Sequence, residues 1–171
     1  MASFDVSFSI KDLYETRRLL QHSLSMDANY ARSYALLANT YHAAWVNALD
    51  GDFLNSGALD LAHQFARKAV QLDPSLHLAH ASLGLALMFK REHDASIAAC
   101  ERAIALNPNY VGWHFGAALV LAGEFRRAID ILEAYMRLDP FHAPTGLLGL
   151  AHYMLKEYSQ ALLVLDRKSV V

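Results

Sequence analysis

Apolar residues in this chain recur at three- and four-residue spacing along most of its length, as in Ile97, Cys100 and Ile104. That spacing puts them on one face of a helix. The rhythm is interrupted by two kinds of signal. One is Asp-Pro or Asn-Pro, at Asp73-Pro74, Asn107-Pro108 and Asp139-Pro140. Proline disfavours helix in the residue before it and cannot continue the backbone ladder. The other is a short polar turn, Arg91-Glu92, Gly123-Glu124 or Lys156-Glu157, followed each time by a histidine or an aromatic: His93, Phe125, Tyr158. These signals predict helices over residues 10–25, 28–48, 55–72, 75–90, 93–106, 109–122, 125–138, 143–155 and 158–168.

The interruptions also expose a repeat. Ala66–Pro74 (ARKAVQLDP), Cys100–Pro108 (CERAIALNP) and Leu132–Pro140 (LEAYMRLDP) end alike, and their prolines stand 34 and then 32 residues apart. A weaker copy, Leu19–Ala28 (LLQHSLSMDA), has alanine in place of proline. The unit is helix–turn–helix. Small residues recur in its first helix (Ala38, Gly84, Gly116, Gly149) and in its second (Ala62, Ser96, Ala128, Ala161). Two antiparallel helices approach closely only where side chains are small, and Leu83, Leu87, Phe115, Leu119 and Leu148 fill the space between. One pair cannot bury its apolar face alone, so neighbouring pairs stack.

This pattern resembles the tetratricopeptide repeat over nearly the whole chain, most closely in Ser75–Pro108. The usual first-helix tryptophan is absent, with Tyr34, His80, Gly112 and Thr145 in its place. The resemblance implies an all-α, right-handed superhelical solenoid of antiparallel helix pairs. On this reading residues 1–171 form one domain: an orphan closing helix at 10–28, a repeat at 29–74 with an insertion at 45–56, then repeats at 75–108, 109–140 and 141–171. The insertion (WVNALDGDFLNS) reads as a surface loop through Asp50-Gly51, or as a partner contact carrying Trp45 and Phe53. The lengthened repeat, the LDPS and ALNPNY segments and Tyr158–Arg167 also resemble repeat regions that follow bacterial class III adenylate or guanylate cyclase domains or accompany winged-helix regulators. That likeness implies a regulatory or assembly module.

By the same resemblance, the first helices of successive pairs line a concave protein-binding groove. Register places Arg32, Ala35, Asn39 and His42 there from the first pair. The second adds Leu78, Ala81, Leu85, Met88 and Phe89. Tyr110, Trp113, Ala117 and Val120 come from the third, and Gly146, Leu150 and Tyr153 from the fourth. Some relatives grip a peptide carboxylate with a lysine/asparagine clamp. Here only Asn39 remains of it, with Ala35 and Phe89 at lysine positions, so chaperone-tail binding is not expected. An apolar groove suits an amphipathic helix or an extended peptide. The last helix ends in an apolar run with no polar cap after it, which predicts either a fragment or a homodimer through Leu162, Leu163, Leu165 and Val170.

Composition narrows the rest. Hydrophobic residues are 54% of the chain, with only 8 Gly and 4 Pro, which excludes a disordered polymer and favours helix. A net charge of −2 gives no footprint for nucleic acid or an anionic membrane. Arg17-Arg18 and Arg126-Arg127 read as solvated helix faces. A single cysteine, Cys100, and no signal peptide or membrane span point to the cytoplasm. His77 and His80 share a helix face but lack further ligands for zinc. Cys100 falls at a core position, and Glu92, Glu124 and Glu157 lie one repeat apart. Gly112 and Gly116 read as packing glycines within one helix. No catalytic, metal or cofactor residue is therefore expected, and the chain reads as a scaffold for protein or peptide partners.

Overall fold

A computed structural model describes residues 10–47 and 57–166; most of the insertion, with Phe53, and Val170 lie outside the described residues. Every regular element among these is a helix: α1 Ile10–Met26, α2 Ala31–Asn47, α3 Gly57–Leu72, α4 His77–Phe89, α5 His93–Leu106, α6 Trp113–Leu121, α7 Phe125–Leu138, α8 Thr145–Met154 and α9 Tyr158–Asp166. The chain divides into two compact units, Met1–Ala86 and Leu87–Val171.

The first unit stacks α1 on α2 and α2 on α3. Ala35, Ala69 and Ala79 form its small-residue centre, flanked by Tyr34, Val70, Leu76 and Leu78. The Ser82 hydroxyl donates to the Ala35 carbonyl at 3.2 Å, which ties α4 to α2. Phe65 of α3 lies 5.5 Å from the Tyr41 ring and 6.2 Å from that of Tyr34. The expectation that Arg17 and Arg18 are both solvated is corrected for Arg17, which is buried at 6% exposure. It falls four residues after buried Leu13, on the stripe that faces α2. Its Nε and Nη2 donate to Oγ1 and the carbonyl of Thr40, each at 3.3 Å. Arg18, one position round the helix, is exposed and pairs with Glu15.

In the second unit α5 packs on α6, α6 on α7 and α8 on α9, while α8 also touches both α6 and α7. The matched small residues explain the close approach. A Cβ on Gly116 would stand 2.4 Å from Leu132 Cδ2, and one on Gly149 2.8 Å from Leu165 Cγ. Gly112 departs from its expected place inside the helix. It precedes α6 with extended backbone (φ −107°, ψ 137°), and a Cβ there would meet the His114 ring at 2.3 Å. The third first-helix therefore starts at Trp113, four residues later than its pattern suggests.

The turns repeat as faithfully as the helices. Before each new pair, the side chain of Asp27, Asp73, Asn107 or Asp139 accepts a backbone N–H, from Asn29, Ser75, Asn109 and His142 respectively. This closes the end of the preceding helix and starts the next. Within pairs, Arg91, Gly123 and Lys156 take positive φ (64°, 82° and 63°). The following glutamates donate their N–H to the Leu87, Leu119 and His152 carbonyls at 3.0, 2.8 and 2.9 Å. That is the bonding of a Schellman motif, which satisfies carbonyls a helix end would otherwise leave open. At the last turn His152 Nδ1 lies 2.7 Å from Glu157 Oε2, where a Schellman turn more often has an apolar contact.

Candidate protein-binding surface

The first helices of the repeats put the expected groove residues at very different depths. In the first unit Arg32 is exposed, while Asn39, Leu78 and Leu85 are partly buried. His42 is buried at 9% exposure, and desolvation pushes its imidazole down to about 4. It sits one turn beyond Asn39, on the side of α2 that turns inward. Ala35 and Ala81 are buried too. In the second unit Met88 and Val120 are buried at 4% and 6%, whereas Phe89, Tyr110 and Trp113 are half-buried. His42, Met88 and Val120 therefore pack the interior and offer no face to a partner. The groove register spans a broad side of each first helix, and part of that side faces the protein.

Tyr110 lies in the turn before α6, and burial raises its phenol to about 12, with Cys100 and Tyr135 adding to the effect. The Trp113 indole meets His114 edge-on at 6.2 Å. Cys100, 2% exposed, has its thiol pushed up to about 12 by burial, which leaves it protonated and unreactive.

At α8 and α9 the picture reverses. Leu150 is 45% exposed and Tyr153 58%, and they line a cleft of about 430 Å³ with Gly146, Gly149, Tyr158, Ala161, Leu162 and Leu165. The Tyr153 and Tyr158 rings of its lining meet at a tilt, with centroids 5.6 Å apart. Sequence reasoning assigned Leu150 and Tyr153 to the groove and Leu162 and Leu165 to self-association; in the structure they share one wall-to-wall surface. A second cleft of about 390 Å³, between α5, α6 and α7, is rimmed by Glu101, Arg127 and Asp130 over Ile104, Ala105, Phe115 and Ile131. Arg127 is engaged there by Glu101 and Glu124, and Arg126 by Glu157. Both arginines are solvated, as expected, yet committed to neighbouring carboxylates. His80 Nε2 donates to the Pro74 carbonyl at 3.0 Å. Among the described residues no three His, Cys, Asp or Glu side chains gather as a metal site would require. No helix there is long and apolar enough to cross a membrane.

Residues 78–110 match the model of the tetratricopeptide repeat. The fold agrees: the chain is a tetratricopeptide-type helical solenoid. Among solved structures it is similar to that of MamA, with a TM-score of 0.63 and 26% identity over 94% of this chain and 93% of that one. It is also similar in fold to YrrB, described as a TPR protein with an unusual peptide-binding site, with a TM-score of 0.64 and 20% identity over 92% and 77%. Among curated proteins, the transcriptional regulator HilA of Salmonella typhimurium and that of Salmonella typhi are each 27% identical over 140 residues, 81% of this chain. The chain spans about a quarter of the length of these relatives, 25% in each case.

Proposed function

We propose that this chain is a non-catalytic scaffold that binds a helical or extended peptide segment of a protein partner through the first helices of its repeats. The observation that carries this reading is the exposed apolar surface of α8: Leu150 and Tyr153 lining a cleft with no charged residue among the described residues of its wall. Half-buried Trp113 on α6 belongs to the same helix series in the same unit. Aromatic anchors of this kind supply large contact area at little entropic cost. Arg32, Asn39, Leu78 and Leu85 are the corresponding positions of the first unit. A peptide-binding site in YrrB, which shares the fold, is in keeping with this use of it. The reading includes a cytoplasmic setting and neither nucleic acid nor membrane as a partner.

The test is selection of peptides from a displayed random library on the full chain, followed by Leu150→Asp and Tyr153→Ala. Both positions are exposed, so the fold should persist. Selected peptides should bind the variants at least ten-fold more weakly. Equal binding by both would remove α8 from the site.

A second reading is supported by the HilA match and by the exposed leucines of α9. On it the chain is a self-association and regulatory module of a larger bacterial signalling protein, either a nucleotide cyclase or a transcription regulator. Leu162, Leu163 and Leu165 are 69%, 64% and 46% exposed on a nine-residue helix. Reading the gene on both sides of this segment checks it: a cyclase or DNA-binding stretch in the same frame supports the module, and flanking stop codons remove it.

A further inference from the structure

The repeat itself shows how the described α8–α9 surface differs from its counterpart one repeat earlier. Residues 33 positions earlier occupy the same places on α6 and α7: Ala117 for Leu150, Val120 for Tyr153, Ile129 for Leu162 and Leu132 for Leu165. Those four are 4%, 6%, 7% and 0% exposed. Their counterparts are 45%, 58%, 69% and 46% exposed. The difference has a visible cause, because α8 packs against both α6 and α7. Among the described residues, no helix covers this cleft as α8 covers its counterpart one repeat earlier.

We propose that two copies of this chain close it mutually about a two-fold axis, each laying the Tyr158–Leu162–Leu165 row of α9 into the other's cleft, and that this contact withdraws Leu150 and Tyr153 from peptide binding. The proposal rests on the self-association reading above. Three observations select a second copy as occupant. The row is spaced i, i+4, i+7, so it forms the apolar stripe of a helix, which is what the cleft takes. Ridge and cleft lie on one surface, as a two-fold contact requires, since each copy must present the same patch. Among the described residues no Asp, Glu, Lys or Arg lines the cleft, so the described walls of two copies meet there without like charges opposed. The area suits a weak, concentration-dependent contact. Five large apolar side chains that line the cleft, Leu150, Tyr153, Tyr158, Leu162 and Leu165, are each about half exposed, offering roughly 500 Å² at about 200 Å² apiece. A standard interface uses about 800 Å² per partner. The consequence is a switch by mass action: the dimer and a peptide compete for the same end of α8.

The experiment combines sedimentation of the full chain, at low- and high-micromolar concentration, with nitration of Tyr153 read by mass spectrometry. Wild type should reach the mass of two chains, and Tyr153 should nitrate several-fold more slowly in that state. Leu162→Glu should remain one chain with Tyr153 fully reactive. Gly146→Trp should also remain one chain. A Cβ at Gly146 meets nothing within 4 Å, and the preceding repeat holds Trp113 at that place, so the ring can fill the cleft without disturbing the fold. Ala98→Glu, at an exposed position on α5, should still dimerise. Wild type at one-chain mass throughout would overturn both this proposal and the self-association reading. A dimer in which Tyr153 stays as reactive as in Leu162→Glu would keep self-association and overturn the contact at this cleft. A chain that stays monomeric yet binds a synthetic peptide of residues 143–155, the helix that closes the preceding repeat, would assign the face to another protein and overturn it as well.

Discussion

The guanidinium of Arg17 stands 3.9 Å from the centre of the Tyr41 ring, with its nitrogens on Thr40. A cation held over an aromatic face, largely out of water, contributes about 2 kcal/mol. The aliphatic stem of Arg17 also packs between α1 and α2. Arg17→Ala should therefore cost about 2–3 kcal/mol in urea denaturation. Arg17→Lys should recover little, because an ammonium cannot stack and reach both Thr40 acceptors together. A loss below 0.5 kcal/mol for Arg17→Ala would show that the ring contact and the Thr40 bonds do little to hold α1 on α2.

Arg17 also marks where sequence reading stops. The turns were legible because they depend on local chemistry: Asp-Pro, Asn-Pro and the residues before Glu92, Glu124 and Glu157 each announce a chain reversal. Among the described residues, helix ends came out within a few residues except at α6, where Gly112 holds extended backbone against His114. The depth of a polar side chain depends on its helical phase, and the identity of the adjacent Arg18 concealed that phase. The four-residue step from Leu13 to Arg17 was the signal that could have found it. The cleft was hidden for another reason. Leu150 and Leu162 are twelve residues apart on different helices, and only their pairing in space makes one surface. The 33-residue step back to buried Ala117 and Ile129 was its trace in the sequence.

The three left-handed turn residues predict a stability ranking. Gly123 adopts positive φ without steric cost, but Arg91 and Lys156 do so with a Cβ. Arg91→Gly and Lys156→Gly should each stabilise the chain by about 1 kcal/mol, and Gly123→Ala should destabilise it by a similar amount. Thermal melts followed by circular dichroism check the ranking. A lower melting temperature for both glycine variants would mean that those side chains make contacts worth more than the strain.

Two helical glycines should respond oppositely to the same change. A methyl on Gly116 meets Leu132, which is wholly buried and has no room to retreat. Gly116→Ala should cost about 1–3 kcal/mol through overpacking. At Gly146 the space is open, and replacing glycine by alanine in a helix is favourable by up to about 1 kcal/mol. Gly146→Ala should therefore raise the urea midpoint. If the two variants shift stability alike, close approach of α6 and α7 at Gly116 is not what that glycine provides.

His42 gives the fold an acid-sensitive component. Burial lowers its imidazole from the ordinary 6.5 to about 4, so the folded chain holds it neutral where the unfolded chain is already protonated. Between those two values the unfolded state binds the extra proton. Stability must therefore fall as pH drops from about 6.5 towards about 4, and this component is fully lost below that. The full span corresponds to at most about 3 kcal/mol. Carboxylates titrate over part of the same range, so the comparison is with His42→Gln, which keeps a polar side chain of similar reach and cannot charge. Urea denaturation at pH values from 7 to 4 should show wild type losing about 2–3 kcal/mol more than the variant. Parallel curves would mean that the imidazole protonates within the fold, and that α2 opens enough at this position to admit water.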